Sequence, residues 1–259
     1  KAWHCFSDAY RQLPFSLMFQ YYGPQNMGAC WQLSIFPDLK PLAPPWKPDF
    51  IHYGDAIGEA MAGFELEEAL ALVHDMSEKW QQGIALLTPH HAIFADNRER
   101  EIDMILIQAL GLQLRNAHNV ILFCRLREAL YNGDNSVLEP MRQLLENEIT
   151  LARHLAELCT LDSRLGFQSE ALCHRYYPAL LEWRCGQLRK VLDEDLPALK
   201  QSLADGCIPW DYFMARPGAP QTAAPGEWYG FWKYEIGGDH LTISSKHTCP
   251  NNFQNGVIF

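Results

Sequence analysis

The sequence predicts a mainly α protein, an antiparallel bundle of long helices joined by short turns, with a small β-hairpin toward the C-terminal end. Three observations predict it. Apolar residues recur every three or four positions through Leu66–Leu87, Ile102–Leu130 and Leu138–Leu158; proline and glycine collect between these runs; and Trp228–Ile236 and His240–Ser244 alternate around Gly237-Gly238-Asp239.

Trp3, Phe6 and Tyr10 stand at helical spacing, and Pro14 stops that first helix. Phe15 to Tyr22 is aromatic and apolar enough for a short buried strand, ended by Gly23-Pro24. Pro37, Pro41, Pro44, Pro45 and Pro48 then forbid helix between Gln32 and Pro48, which marks the first boundary. A short helical piece near Asp55 to Met61 leads into the stripe Leu66, Leu70, Val73, Met76, Trp80, Ile84, Leu87, which ends at Pro89.

After a break over Pro89 to Asn97, the apolar positions from Ile102 to Leu130 are dense enough for a long, mostly buried helix ended by Asn132-Gly133. Ser136 and Glu139 have capping-box spacing ahead of the next stripe, Leu138 to Leu158. A fourth long helix starts at Pro178, with Pro197 as a kink or interruption. Beyond Cys207, proline and glycine make a linker to the hairpin. The chain thus divides into 1–48, a helical region over 49–206, and a linker with a β-rich tail over 207–259; no internal repeat is visible.

With 259 residues and 48% hydrophobic content the chain can bury a core without staples. A formal net charge of −10 excludes nucleic acid as an expected partner, because phosphate binding needs clustered Lys and Arg not offset by acids. The eight cysteines are scattered without a CxxC pair, so they read as free thiols in a reducing, cytoplasmic-type compartment, and neither metal nor cofactor is expected. No run approaches the roughly 20 apolar residues that span a bilayer, so no membrane partner is expected. Lys1 falls inside a helix and Val257 to Phe259 in a strand, so both ends read as cut from a longer polypeptide, and secretion through an upstream leader stays open.

Four groups of residues could carry chemistry. Tyr21-Tyr22-Gly23-Pro24-Gln25-Asn26 sets two aromatics before a turn bearing two amides, the pairing that stacks on a sugar ring and bonds its hydroxyls; equally, Gln25 and Asn26 could bond their own backbone. Asp162-Ser163-Arg164-Leu165-Gly166-Phe167-Gln168-Ser169-Glu170 is a polar loop between apolar helices, suited either to binding hydroxyls and carboxylates or to helix capping and an Asp162–Arg164 pair. Glu139, Glu146, Glu148, Asp193, Glu194 and Asp195 supply carboxylates of the kind glycoside hydrolysis uses, and solvated helix faces explain most of them; Glu148, beside the apolar stripe, is the catalytic candidate. His74, His90, His91, His118, His154 and His174 lack metal-binding spacing, and GxSxG, Walker and GxGxxG motifs are absent.

The run from Ala2-Trp3 through Tyr21-Tyr22-Gly23-Pro24-Gln25-Asn26-Met27-Gly28 resembles a segment of glycoside-hydrolase-like proteins of the hexosaminidase and α-glucuronidase kind. The run Glu146-Asn147-Glu148-Ile149 through Asp162-Ser163-Arg164-Leu165-Gly166-Phe167 and Ser169-Glu170 looks like the helical region that follows the catalytic barrel in the same group; with Tyr53-Gly54-Asp55 and Trp80…Gly83, the likeness touches most of residues 1 to 205. The resemblance implies that 1–48 begins as a barrel-end strand segment, that an upstream (β/α) barrel of the same polypeptide carries the acid pair, and that this chain alone is inactive. It further implies that Tyr22, Gln25 and Asn26 face a saccharide or glycoside substrate while Arg164 and Glu170 approach it from the bundle. Trp228 to Phe259 is similar to the opening strands of a carbohydrate-binding β-sandwich, here only partial. The Pro-rich 32–48 stretch departs from the family pattern. The rival reading is a non-catalytic helical binding or scaffold module; a metal-dependent hydrolase stands third.

Overall fold

The computed structural model describes residues 1–14, 19, 24, 28–31, 33–36, 57, 64–168 and 173–209, together with the strands of the C-terminal hairpin. The described part is mainly helical. The helices are α1 (Ala2–Tyr10), α2 (Leu66–Leu87), α3 (His91–Ala95), α4 (Arg98–Tyr131), α5 (Leu138–Leu161), α6 (Pro178–Lys190) and α7 (Leu196–Ala204). Between α5 and α6 lies a miniature antiparallel pair, β1 (Phe167–Gln168) and β2 (Cys173–His174). The tail hairpin pairs β3 (Trp232–Gly237) with β4 (His240–Ser245), Gly237 opposite His240, as the alternation predicts.

Sequence spacing located the long helices, missed the short α3 and erred at some helix ends. In α1 the buried face is Ala2, Phe6 and Ala9, while Trp3 and Tyr10 are exposed. Phe19 is buried but helical, against the strand expected there; the other residues of Phe15–Tyr22, except Phe19, lie outside the described set, as does the Asp55–Met61 piece apart from buried Ile57. The break over Pro89–Asn97 holds a 3-10 turn, Thr88–His90, and the short α3, because proline suits a first helical turn. Asn97 caps α4 by accepting from the Glu99 and Arg100 amides. The Ser136–Glu139 capping box does not form: Asp134 accepts from the Ser136 amide, and Glu139 turns to Arg142. At Pro197 the interruption is real but starts earlier, in a π-turn over Val191–Asp195 that leads into α7.

α4 is the axis of the core. Its 34 residues, about 51 Å at 1.5 Å per residue, pack against α2 on one side and α5 on another, while α2 also receives α1 and α5 receives α6. Two helical glycines permit the close contacts. A Cβ on Gly83 would stand 2.3 Å from the Phe6 ring, and one on Gly111 would stand 2.8 Å from Ile84 and 3.0 Å from Trp80. Trp80 consequently reaches the α4 backbone and donates its indole N–H to the Ile107 carbonyl at 2.9 Å.

Residues 28–31 and 33–36 are largely buried without forming a strand or long helix, so their polar backbone groups need partners from elsewhere. Side chains supply them. Arg184 donates to the Trp31 carbonyl (3.0 Å), Arg127 to Ser34 (2.9 Å) and Tyr131 to Ile35 (3.2 Å). Gly28 lies so close to α4 that a Cβ there would be 3.2 Å from the Asn116–Ala117 backbone.

Candidate functional site

Where α4, α5 and α6 meet, apolar packing gives way to four polar side chains. Glu148 of α5 is fully buried at 0% exposure and Arg184 of α6 at 1%, and they form an ion pair at 2.6 Å. Asn116 and Asn119, one turn apart on α4, point the same way: Asn116 Nδ2 donates to both Glu148 oxygens at 3.1 Å, and Asn119 Nδ2 to Oε1 at 2.6 Å. A carboxylate has about four acceptor positions, and these four contacts occupy them. Arg184 then carries the linkage to the Trp31 carbonyl, so the knot ties three helices to the buried stretch at Trp31. In this arrangement Glu148 is a buried tie and offers no free oxygen to a substrate. Glu139 and Glu146 bracket exposed Arg142 on the outer face of α5, and Asp193 and Glu194 are also exposed.

The polar loop after α5 builds the second feature. Asp162 ends α5 and accepts from its neighbour three times: the Arg164 amide (3.0 Å), Nε (2.9 Å) and Nη2 (2.8 Å). The bond from Arg164 holds the Asp162 carboxyl down at about 2. The chain then turns through Gly166, whose φ of +79° is a left-handed value suited to glycine, and a Cβ there would stand 2.2 Å from the Tyr176 carbonyl. Its own carbonyl accepts from the Arg175 amide at 2.7 Å, closing β1 onto β2.

This turn and the N-terminal half of α4 enclose a cavity of about 220 Å³. Its wall includes Gln113 from α4, Arg164 from the turn, Phe167 and Gln168 from β1, and Arg175 and Tyr176 from the stretch between β2 and α6. Phe167 is 49% exposed and set edge-on to His174. Arg175 differs from Arg164: it is only 5% exposed, its Nε donates to Gln168 Oε1 at 2.5 Å, and its Nη2 is buried with no hydrogen-bond partner. An orphaned buried donor costs roughly 1–3 kcal/mol, and more when charged. A second cavity, about 530 Å³, lies across Leu165 and is lined by Cys159, Cys173 and Tyr177. Burial pushes the Cys159 thiol up to about 11, and Cys30, which donates to the Arg175 carbonyl, up to about 12.

Of the residues singled out by sequence, Arg164 lines the first cavity and Glu148 sits in the interhelical knot. Tyr22, Gln25, Asn26 and Glu170 lie outside the described residues. Sequence reasoning missed Asn116, Asn119, Arg175 and Arg184. Asn116 and Asn119 had left a signal, since two amides three apart interrupt the long series of apolar positions from Ile102 to Leu130. Arg175 and Arg184 had not, because an arginine in a connecting stretch or within a charged helix reads as surface. His74 and His118 bring their rings to 5.3 Å across α2 and α4, and burial lowers the His118 pKa. Among the described residues no three His, Cys, Asp or Glu side chains are grouped to hold a metal, and no described cysteine is in a disulfide. No described helix is long and apolar enough to cross a membrane.

No family model, curated protein or solved structure matches the chain.

Proposed function

We propose that this chain is the helical, saccharide-binding part of a glycoside-processing protein, an antiparallel bundle that forms one wall of a sugar cleft while the acid pair resides in a (β/α) barrel of the same polypeptide. The observation that carries the proposal is the cavity beside α4, where a half-exposed aromatic ring, two amides and two guanidinium groups converge. Apolar ring faces suit stacking on Phe167, and Gln113, Gln168 and Arg164 supply donors and acceptors for hydroxyls. At about 220 Å³ the space is below the roughly 300–1,000 Å³ of clefts for drug-sized ligands, which fits one sugar unit. Tyr22, Gln25, Asn26 and Glu170 enter the same reading through the family resemblance. Glu148 serves it as a positioning residue, holding α4, α5 and α6 in the relation that shapes the wall.

Calorimetric titration of the chain with neutral, N-acetylated and acidic monosaccharides tests the proposal. Binding of at least one class, weakened several-fold by Phe167→Ala and by Arg164→Gln, is expected. Both side chains are exposed, so neither change should unfold the protein. Absence of binding by every sugar would favour the scaffold reading, for which the buried Glu148–Arg184 knot, its carboxylate fully engaged, is the specific support.

A further inference from the structure

The seam between α2 and α4 is stitched by charge. Glu67 accepts from Arg125 Nε at 2.6 Å, and Glu78 accepts from Arg115 Nη2 at 2.6 Å. Between these two rungs the helices bring together a pair of imidazoles. The rings of His74 and His118 stand 5.3 Å apart, centroid to centroid, and are inclined by 62°. The His74 side chain is 51% exposed and His118 is half-buried, so the pair is reached from solvent. Spacing along the chain did not mark it, because its two members belong to different helices.

The contacts behind each ring settle which nitrogen holds the proton. His74 Nδ1 faces Asp75 Oδ1 at 3.4 Å, and an ionised carboxylate can only accept. His118 Nδ1 faces Asn119 Oδ1 at 3.3 Å. Asn119 is turned that way because its Nδ2 donates to Asn147 Oδ1 and to the acceptor-only carboxylate of Glu148. Both Nδ1 atoms therefore carry hydrogen, and each Nε2 of the neutral rings presents a lone pair with no hydrogen-bond partner among the described residues. Metal-ligating imidazoles take this form, their rear N–H held by a carboxylate or carbonyl oxygen that fixes the tautomer and strengthens the donor.

Two imidazoles that share a metal ion through Nε2 at ~2.0–2.1 Å, with a tetrahedral angle between them, have centroids about 5 Å apart. The separation of His74 and His118 meets that requirement. We infer that His74 and His118 form a binding site for Zn²⁺ or a divalent metal of the same imidazole preference, bridging α2 and α4, with Asp75 and Asn119 as positioning residues and water completing the coordination shell. Glu78 stays outside it, because its carboxylate is engaged by Arg115 and offsets that guanidinium beside the ion. The flanking ion pairs hold the two helices at this separation beforehand, so little beyond the half-exposed His74 ring remains to be ordered. The site shares no residue with the cavity beside α4 and does not depend on the saccharide reading.

The experiment is calorimetric titration of the whole chain, cleared of metal by a chelator, with Zn²⁺ and in parallel with Mg²⁺, which takes oxygen ligands. Zinc held by thiols elsewhere is common to native and variant chains and cancels between them. The native chain is expected to bind one Zn²⁺ about ten-fold or more tightly than His74→Gln does, with the same loss in His118→Gln. His91→Gln, at an exposed histidine outside the seam, should keep that binding event. In urea titrations Zn²⁺ should raise the unfolding midpoint of the native chain and not that of His74→Gln, because an ion held across two helices binds only the folded state. Identical zinc isotherms for the native chain and His74→Gln would overturn the site, as would no zinc binding at all. A response to Mg²⁺ equal to that to Zn²⁺ would assign the ion to carboxylates and overturn it too. Should His118→Gln fail to fold, the half-exposed His74 position decides alone.

Discussion

Glu148 shares α5 with Glu139, Glu146 and Glu157, and only its angle around the helix sets it apart from those exposed carboxylates. That angle turns it inward to Arg184, Asn116 and Asn119, where removing one partner leaves the others buried and unsatisfied. Breaking a buried pair in this way costs about 3–5 kcal/mol, whereas replacing both charges by apolar groups of similar volume is often much cheaper. Glu148→Leu is therefore expected to lower unfolding stability by about 3–5 kcal/mol in urea titrations, and Glu148→Leu with Arg184→Met by less than the sum of the two single changes. Additive losses would mean that the two side chains do not act as a unit. The asparagines were readable in the sequence as polar interruptions of an apolar run, but their partner was not, since periodicity places a residue on a face without saying which helix that face meets.

At the scale of elements, helices were the legible part. Stripes in α2 and α5 follow a 3.6-residue period; Leu66, Val73, Met76 and Trp80 of the first and Met141 to Leu158 of the second are buried, while Leu70, Ile84, Leu87 and Leu138 are only half-buried and small or polar residues such as Ala69, Ser77, Gly83 and Glu148 complete the buried faces. The long α4 is buried nearly all round past Met104, so its burial came from density of apolar residues and not from a stripe. The β1–β2 pair was not legible, because two-residue strands carry no alternation. Gly166 and the Asp162–Arg164 fork fix that turn. Asp162 gives it an acid signature. Its folded-state pKa of about 2 lies below the ordinary value of 3.8, so its contribution to stability is complete above about pH 4 and is lost as pH falls through about 2. The stability difference between the native chain and Asp162→Asn, measured by urea unfolding at pH 6, 4, 3 and 2, should thus shrink only below pH 4. A difference that stays constant to pH 2 would assign the effect to shape and not to charge.

In the molecule as a whole, the described helices share one hydrophobic core, with α4 touching α2, α5 and the turn at Gly28. A core so connected should unfold as a unit, and helix loss by far-ultraviolet circular dichroism should coincide with tryptophan fluorescence in a urea titration. Two separated transitions would divide the core. The close seat of Phe6 over Gly83 links the chain's first helix to that unity. Position 83 has no room to grow while position 6 keeps its ring, so bulk can pass between the two sites but cannot be added to either. A trimmed ring with a methyl opposite, Phe6→Leu with Gly83→Ala, is the exchange that this contact allows, and each change made singly leaves a gap or a collision.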